Sequence, residues 1–177
     1  HLAYEDRPLP IGLEQTISQP FIIALMTQAL ELTGSEKVLE VGTGSGYQAA
    51  ILAELSRLVI TVERLPSLAE RAKAVLAGLG YTNIIVHLAE ETLGWPGDAP
   101  YDAIMTTAAA PRVPLDLVAQ LAIGGRMVIP VGHLYAQQLC KITRQKRKNK
   151  IENLGGCRFV ALIGKGAWEE KDVAYDY

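Results

Sequence analysis

The sequence predicts an α/β fold: a doubly wound, Rossmann-like, mostly parallel sheet of seven strands, with an antiparallel strand near the C-terminus. Three observations predict it. Short apolar runs alternate with helix-period segments along most of the 177 residues, the pattern of strand–helix–strand crossovers. Alternate glycines, Gly42, Gly44 and Gly46, sit between one such run and a helical segment. Two further runs near the end are joined by a polar stretch rather than a helix, which reads as an antiparallel pair.

Residues 18–33 are expected to form a helix, with Ser18 at the N-cap and Pro20 in the first turn. Phe21, Ile22, Leu25, Ala29 and Leu32 fall on one face of it. Strand 38–41, helix 46–56 and strand 58–63 follow, then helix 66–79, which Gly80 should close. Next come strand 83–88, a loop through Gly94-Trp95-Pro96-Gly97, and strand 101–106. A loop through Ala110-Pro111, helix 114–122, a Gly124-Gly125 turn and strand 126–131 complete the parallel part. Gln137–Arg144 and Cys157–Ile163 are the two final strands. Residues 165–177 lack periodicity and read as an extended or mobile tail. With no repeat or low-complexity linker, residues 1–164 read as a single domain.

Composition narrows the function classes. The net charge of -2 creates no field that would gather nucleic acid or a membrane surface. The basic run from Arg144 to Lys150 lies between two expected strands and carries no aromatic residue, so it reads as a solvated hairpin tip. No stretch reads as a signal peptide or a bilayer span. Cys140 and Cys157 are too few for a disulfide framework and lack zinc-site spacing. The three histidines are scattered. No metal is expected, and the chain reads as cytoplasmic with reduced cysteines.

The glycine turn points to a cofactor. Its glycines should let a flat ligand approach the backbone beside a helix N-terminus. Glu63, seventeen residues past Gly46, ends the next apolar run, where a carboxylate can accept hydrogen bonds from a ribose diol. The dinucleotide pattern wants a further glycine where Tyr47 stands, and Glu40 would repel a pyrophosphate. S-adenosyl-L-methionine carries an ammonium and a sulfonium and no phosphate. The run from Glu40 to Gly46 resembles motif I of the S-adenosylmethionine-dependent methyltransferases.

Upstream, Gln15-Thr16-Ile17-Ser18-Gln19-Pro20 resembles a hallmark of one such family, the protein-L-isoaspartate (D-aspartate) O-methyltransferases. The resemblance continues through Val38–Ala50, Ala99–Ile104, Thr107–Pro111, Gly124–Arg126, Ile129–Gly132 and Arg158–Val160, and covers nearly everything from Tyr4 to Gly164. It implies methyl transfer from S-adenosylmethionine to the α-carboxylate of isoaspartyl residues in damaged proteins or peptides, a repair reaction, by an enzyme more often monomeric than oligomeric. The carboxylate nucleophile is already ionised at neutral pH, so no strong general base is needed.

The resemblance also implies roles. Ser18 matches the family's active-site serine. Thr16, Ile17, Glu40, Gly42, Thr43, Gly44, Gly46, Glu63, Arg64, Ala89, Glu90 and Thr107 match cofactor-binding positions, with Glu40 near the methionine portion. Ala109, Pro111, Val131, Gly132, Arg158, Phe159 and Val160 match the peptide side. Three positions depart from the family pattern. Ala89-Glu90-Glu91 replaces a usual Gly-Asp-Gly, so any position needing positive φ there would force the loop to move. Ala161 replaces a usual proline, and the family carries a helical segment ahead of the region matching Tyr4. Two other readings keep parts of this picture: a biosynthetic methyltransferase acting on ordinary aspartate in a peptide, and a module that binds cofactor or isoaspartyl protein with little turnover.

Overall fold

The structure, a computed structural model, describes residue 2 and residues 5–173. The elements run β1 (Leu9–Gly12), β2 (Gln15–Ile17), α1 (Pro20–Ala29), β3 (Lys37–Val41), α2 (Tyr47–Leu55), β4 (Leu58–Glu63), α3 (Pro66–Gly78) and β5 (Ile84–Leu88). A 3-10 turn (Pro96–Asp98) precedes β6 (Tyr101–Thr106), α4 (Leu115–Gln120), β7 (Leu121–His133), β8 (Ala136–Thr143), β9 (Lys150–Cys157) and α5 (Glu170–Val173).

Seven strands form one sheet in the order β5-β4-β3-β6-β7-β8-β9. Contacts from β5 through β7 are parallel, whereas β7–β8 and β8–β9 are antiparallel. Side chains alternate across the sheet. Leu39, Val41, Ile60 and Ile104 face a core shared with Leu117 and Val118 of α4. Val38, Val59 and Met105 face the opposite core, with Met26, Leu52 and Leu76 from α1, α2 and α3. Strand order reverses between β3 and β6, which opens a crevice at their carboxyl ends.

Local signals explain the best-anticipated elements. β4 and β6 have the expected bounds because both are buried apolar runs. Gly80 closes α3 as expected: at φ 84 its N–H donates to Ala77 O at 3.0 Å, and the Tyr81 N–H donates to Leu76 O at 3.2 Å.

Other elements differ from expectation. α1 starts two residues later than Ser18 and has Gln19 at its N-cap with no side-chain cap of its own. It ends at Ala29 rather than residue 33, because Glu31 turns left-handed (φ 51) and Arg126 donates to the Leu30 and Glu31 carbonyl oxygens. Phe21 is exposed, and Ile23, Met26 and Leu30 fill the buried face instead. The Gly124-Gly125 turn is absorbed into the longer β7. The last strand is Lys150–Cys157, not 157–163. An edge strand is half solvated and need not be apolar. The apolar run after it is a loop in which Leu162 is buried and Ala161 bridges Ala109. The tail up to Val173 is not extended. Trp168 bridges Ile163, Ala167 packs on the core, and Arg64 pairs with Glu170 at 3.0 Å. Residues 174–177, and the start of the resemblance at Tyr4, lie outside the described residues.

Candidate active site

A cleft of about 920 Å3 opens at the carboxyl ends of β3, β4, β5 and β6. The β1–β2 hairpin and the start of α1 line one side with Thr16, Ile17 and Ser18. The glycine turn contributes Gly42, Thr43 and Gly44; β4 and its loop contribute Glu63 and Arg64; the β5 loop contributes Ala89 and Glu90; and Thr107 follows β6. Arg158, Phe159 and Val160 close the far side. Fourteen residues singled out from sequence therefore meet in one cavity.

Ser18 makes no side-chain hydrogen bond among the described residues, so its hydroxyl is available to a ligand in the cleft. The capping it was expected to supply comes from Asp6. The Phe21 N–H donates to Asp6 Oδ1, and Gln19 Nε2 donates to Asp6 Oδ2, both at 2.9 Å.

The turn after β3 is built by close approach within the protein. At Gly42, with φ 104, a Cβ would lie 2.2 Å from Thr107 Oγ1. That hydroxyl donates to the Gly42 carbonyl oxygen at 2.7 Å. Gly46 does not line the cleft: at φ 84 it leads into α2, and a Cβ there would press on Leu76 at 3.2 Å. Both glycines are demanded by packing within the protein, and of the two only Gly42 also lines the cleft. The Gly44 N–H donates to Glu63 Oε2 at 2.8 Å, and the Leu65 N–H donates to Oε1 at 3.0 Å. Each carboxylate oxygen keeps a lone-pair site for a further donor.

Glu40 is corrected most. It is fully buried, absent from the cleft lining, and faces Thr61 rather than a ligand. Thr61 Oγ1 donates to Glu40 Oε2 at 2.5 Å, and Thr61 and Thr43 hydroxyls lie 2.7 Å apart. Burial pushes the Glu40 carboxyl up to about 8, opposed by the Thr61 bond and assisted by Glu63. It is therefore mostly neutral at pH 7, and its second oxygen has no partner. Alternation along β3 sends Val41 toward the cleft and its neighbour Glu40 toward the helices.

Ala109, Pro111, Val131 and Gly132 also stay out of the cleft. Ala109 acts one layer behind: its N–H donates to Val160 O and its carbonyl accepts the Leu162 N–H, both at 2.8 Å. Val131 bridges Ala110, whose carbonyl accepts the Gly132 N–H at 3.0 Å. In the Ala89-Glu90-Glu91 loop, none of the three residues has positive φ. The anticipated strain is absent, and the Ala89 N–H donates to Glu63 O at 2.8 Å.

Sequence reasoning missed Ile23 and Met26, Leu93, Leu134 and Tyr135, and Val173. The α1 face could have yielded the first two through helical periodicity; the rest reach the cleft from loops and from the tail. Cys157 also lines it, but burial, with a smaller contribution from Cys140, pushes its thiol up to about 11, which disfavours a thiolate near neutrality. No group of three or more metal-ligating side chains occurs among the described residues.

The donor set fits S-adenosylmethionine. Glu63 borders the turn where a pyrophosphate would need cations, and it retains acceptor sites for a diol. Apolar Ile22, Leu68 and Leu93 offer a wall for an aromatic base.

A family model described as protein-L-isoaspartate(D-aspartate) O-methyltransferase (PCMT) matches residues 1–167. The chain is 59% identical over 167 residues to protein-L-isoaspartate O-methyltransferase 1 of Syntrophobacter fumaroxidans, covering 94% of this chain and 78% of that protein. It is 57% identical over 167 residues to the Geobacter metallireducens protein-L-isoaspartate O-methyltransferase, covering 94% and 77%. A solved protein-L-isoaspartate O-methyltransferase superposes with a TM-score of 0.83 at 30% identity, covering 93% of this chain and 55% of that one, so this chain spans about half its length. A Plasmodium falciparum protein described as a putative protein-L-isoaspartate O-methyltransferase beta-aspartate methyltransferase, in complex with S-adenosyl-L-homocysteine, superposes with a TM-score of 0.76 at 26% identity, covering 92% and 82%.

Proposed function

The chain belongs to the protein-L-isoaspartate(D-aspartate) O-methyltransferase family, and from that premise we propose that it methylates the α-carboxylate of L-isoaspartyl residues in damaged proteins or peptides. The single observation that carries this reading is the meeting of Ser18, the Gly42–Gly44 turn, Glu63 and Arg158–Val160 in one cleft. S-adenosylmethionine supplies a methyl group activated by its sulfonium. Glu63 would accept the ribose hydroxyls, Glu90 would contact the adenine, and Thr43, Gly44 and Thr107 would border the cofactor. Thr16 and Ile17 cover it from the hairpin.

The remaining work is positioning. The Ser18 hydroxyl would hydrogen-bond the substrate carboxylate, which attacks as an anion and needs no base. The peptide would lie along Arg158, Phe159 and Val160. Ala109 holds Val160 from behind through its backbone N–H. The rate would come from fixing the two reactants in line and excluding water.

The relatives at 53–59% identity named for isoaspartate support this substrate over ordinary aspartate. We also place the protein in the cytoplasm as a monomer, with residues 1–164 as one domain. Both cysteines are free, as a reducing compartment would leave them.

The test is transfer of labelled methyl to an isoaspartyl peptide, its aspartyl counterpart and an RNA. Base-labile label in the isoaspartyl peptide alone is expected. Label in the aspartyl peptide or RNA at a comparable rate overturns the reading.

A further inference from the structure

Two walls of the peptide side come from separate stretches of chain. One is the turn between β7 and β8, which carries Leu134 and Tyr135; the other is Arg158–Val160, just past β9. Between them lies Gln137, on β8, with only 3% of its surface exposed. Its carboxamide is spent on both walls. Nε2 donates to His133 O at 2.6 Å and to Leu134 O at 3.0 Å, and Oε1 accepts the Phe159 N–H at 2.8 Å.

Only a carboxamide does this without a charge, because it carries two donors and an acceptor on one planar group. The bonds have a visible consequence. The Arg158 guanidinium carbon lies 6.0 Å from the centroid of the Tyr135 ring, so the walls meet through a cation–π contact. The other cleft arginine, Arg64, is paired with Glu170; no carboxylate lies within ion-pair reach of Arg158 among the described residues.

We propose that Gln137 is a positioning residue for the peptide side of the cleft. By clamping the Leu134–Tyr135 turn to the Arg158–Val160 segment, it sets the spacing and register of the walls between which the isoaspartyl peptide lies. This rests on the function proposed above. Gln137 does not itself line the cleft and its bonds go only to the two peptide-side walls, so its removal should be felt in peptide binding far more than in cofactor binding.

The test compares wild type with Gln137→Met and Gln137→Glu, assayed well below their melting transitions. Readouts are steady-state kinetics with an isoaspartyl peptide, anisotropy of the same labelled peptide, and calorimetry with S-adenosylhomocysteine. Gln137→Met should raise the peptide KM on the order of ten- to a hundredfold, with cofactor affinity unchanged within about twofold. Gln137→Glu keeps the acceptor for Phe159 but sets a carboxylate against two carbonyl oxygens. Its peptide KM should improve as pH falls from 8 to 6 and the acid regains a donor, whereas wild type should not follow.

An unchanged peptide KM in Gln137→Met overturns the inference. So does a rise matched by an equal loss of cofactor affinity, the mark of general loosening. If Gln137→Met does not fold, Gln137→Glu and its pH profile carry the same decision. A wild type that neither binds nor methylates the peptide overturns the proposed function, and this inference with it. A wild type that does both, beside variants that match it, overturns the inference alone.

Discussion

The carboxylate of Asp6 accepts the backbone N–H of Phe21 at 2.9 Å and so caps α1 from a segment outside the helix. The same side chain accepts from Gln19 Nε2. Ser18, the residue whose type and position suggested a cap, is released from that duty and stands in the cleft.

The roles of Asp6 and Ser18 should therefore separate cleanly. Asp6→Ala should lower stability by about 1 kcal/mol, the usual cost of a lost N-cap. Ser18→Ala should leave the urea midpoint almost unmoved yet reduce kcat/KM for an isoaspartyl peptide on the order of ten- to a hundredfold. An earlier midpoint with normal turnover for Ser18→Ala would return it to the capping role.

Gly42→Ala should be strongly destabilising, by roughly 2–4 kcal/mol. The new methyl would meet Thr107 Oγ1 at a backbone φ of 104. Thr107→Ala removes the oxygen but not the backbone strain. The double variant should accordingly recover part of the loss and not all of it, as measured by denaturant unfolding.

Glu40 makes stability depend on pH in a defined direction. Its carboxyl is at about 8 in the folded chain against an ordinary 4.5, because burial disfavours the anion. Its contribution is fully present below pH about 4.5, declines as pH rises toward 8, and is lost above that. Glu40→Gln, neutral throughout, should flatten this fall. Relative to wild type it should gain on the order of one to several kcal/mol between pH 5 and pH 8.5. Equal pH dependence in both proteins would show that Glu40 is ionised when folded.

Glu63→Ala should weaken S-adenosylhomocysteine binding by roughly 1.5–3 kcal/mol, the range for charge-assisted hydrogen bonds. It should also cost about 1 kcal/mol of stability, because the Gly44 and Leu65 N–H groups lose their acceptor. Calorimetry together with thermal unfolding separates the two effects. Full affinity with lowered stability would confine Glu63 to holding the turn.

What the sequence determined by itself is what neighbours along the chain can encode. The apolar runs 58–63 and 101–106 specify β4 and β6 with the same bounds, because a strand buried on both faces needs only its own composition. The Gly80 stop is equally local. The glycine turn and the carboxylate at Glu63 placed the cleft at the ends of the first two parallel strands. Tertiary structure decided whatever depends on a partner distant in sequence. Glu40 became a neutral acid because the fold buries it completely, and the hydrogen bond from Thr61 of the adjacent strand offsets that burial only in part. Gly42 and Gly46 are required by the close approach of Thr107 and Leu76. The polar edge strand β9 and the folded tail carry no local period, since solvent on one side relaxes the pattern that burial would impose. Gln137 is one polar residue among several in its strand, until folding brings Leu134 and Phe159 to opposite ends of its carboxamide.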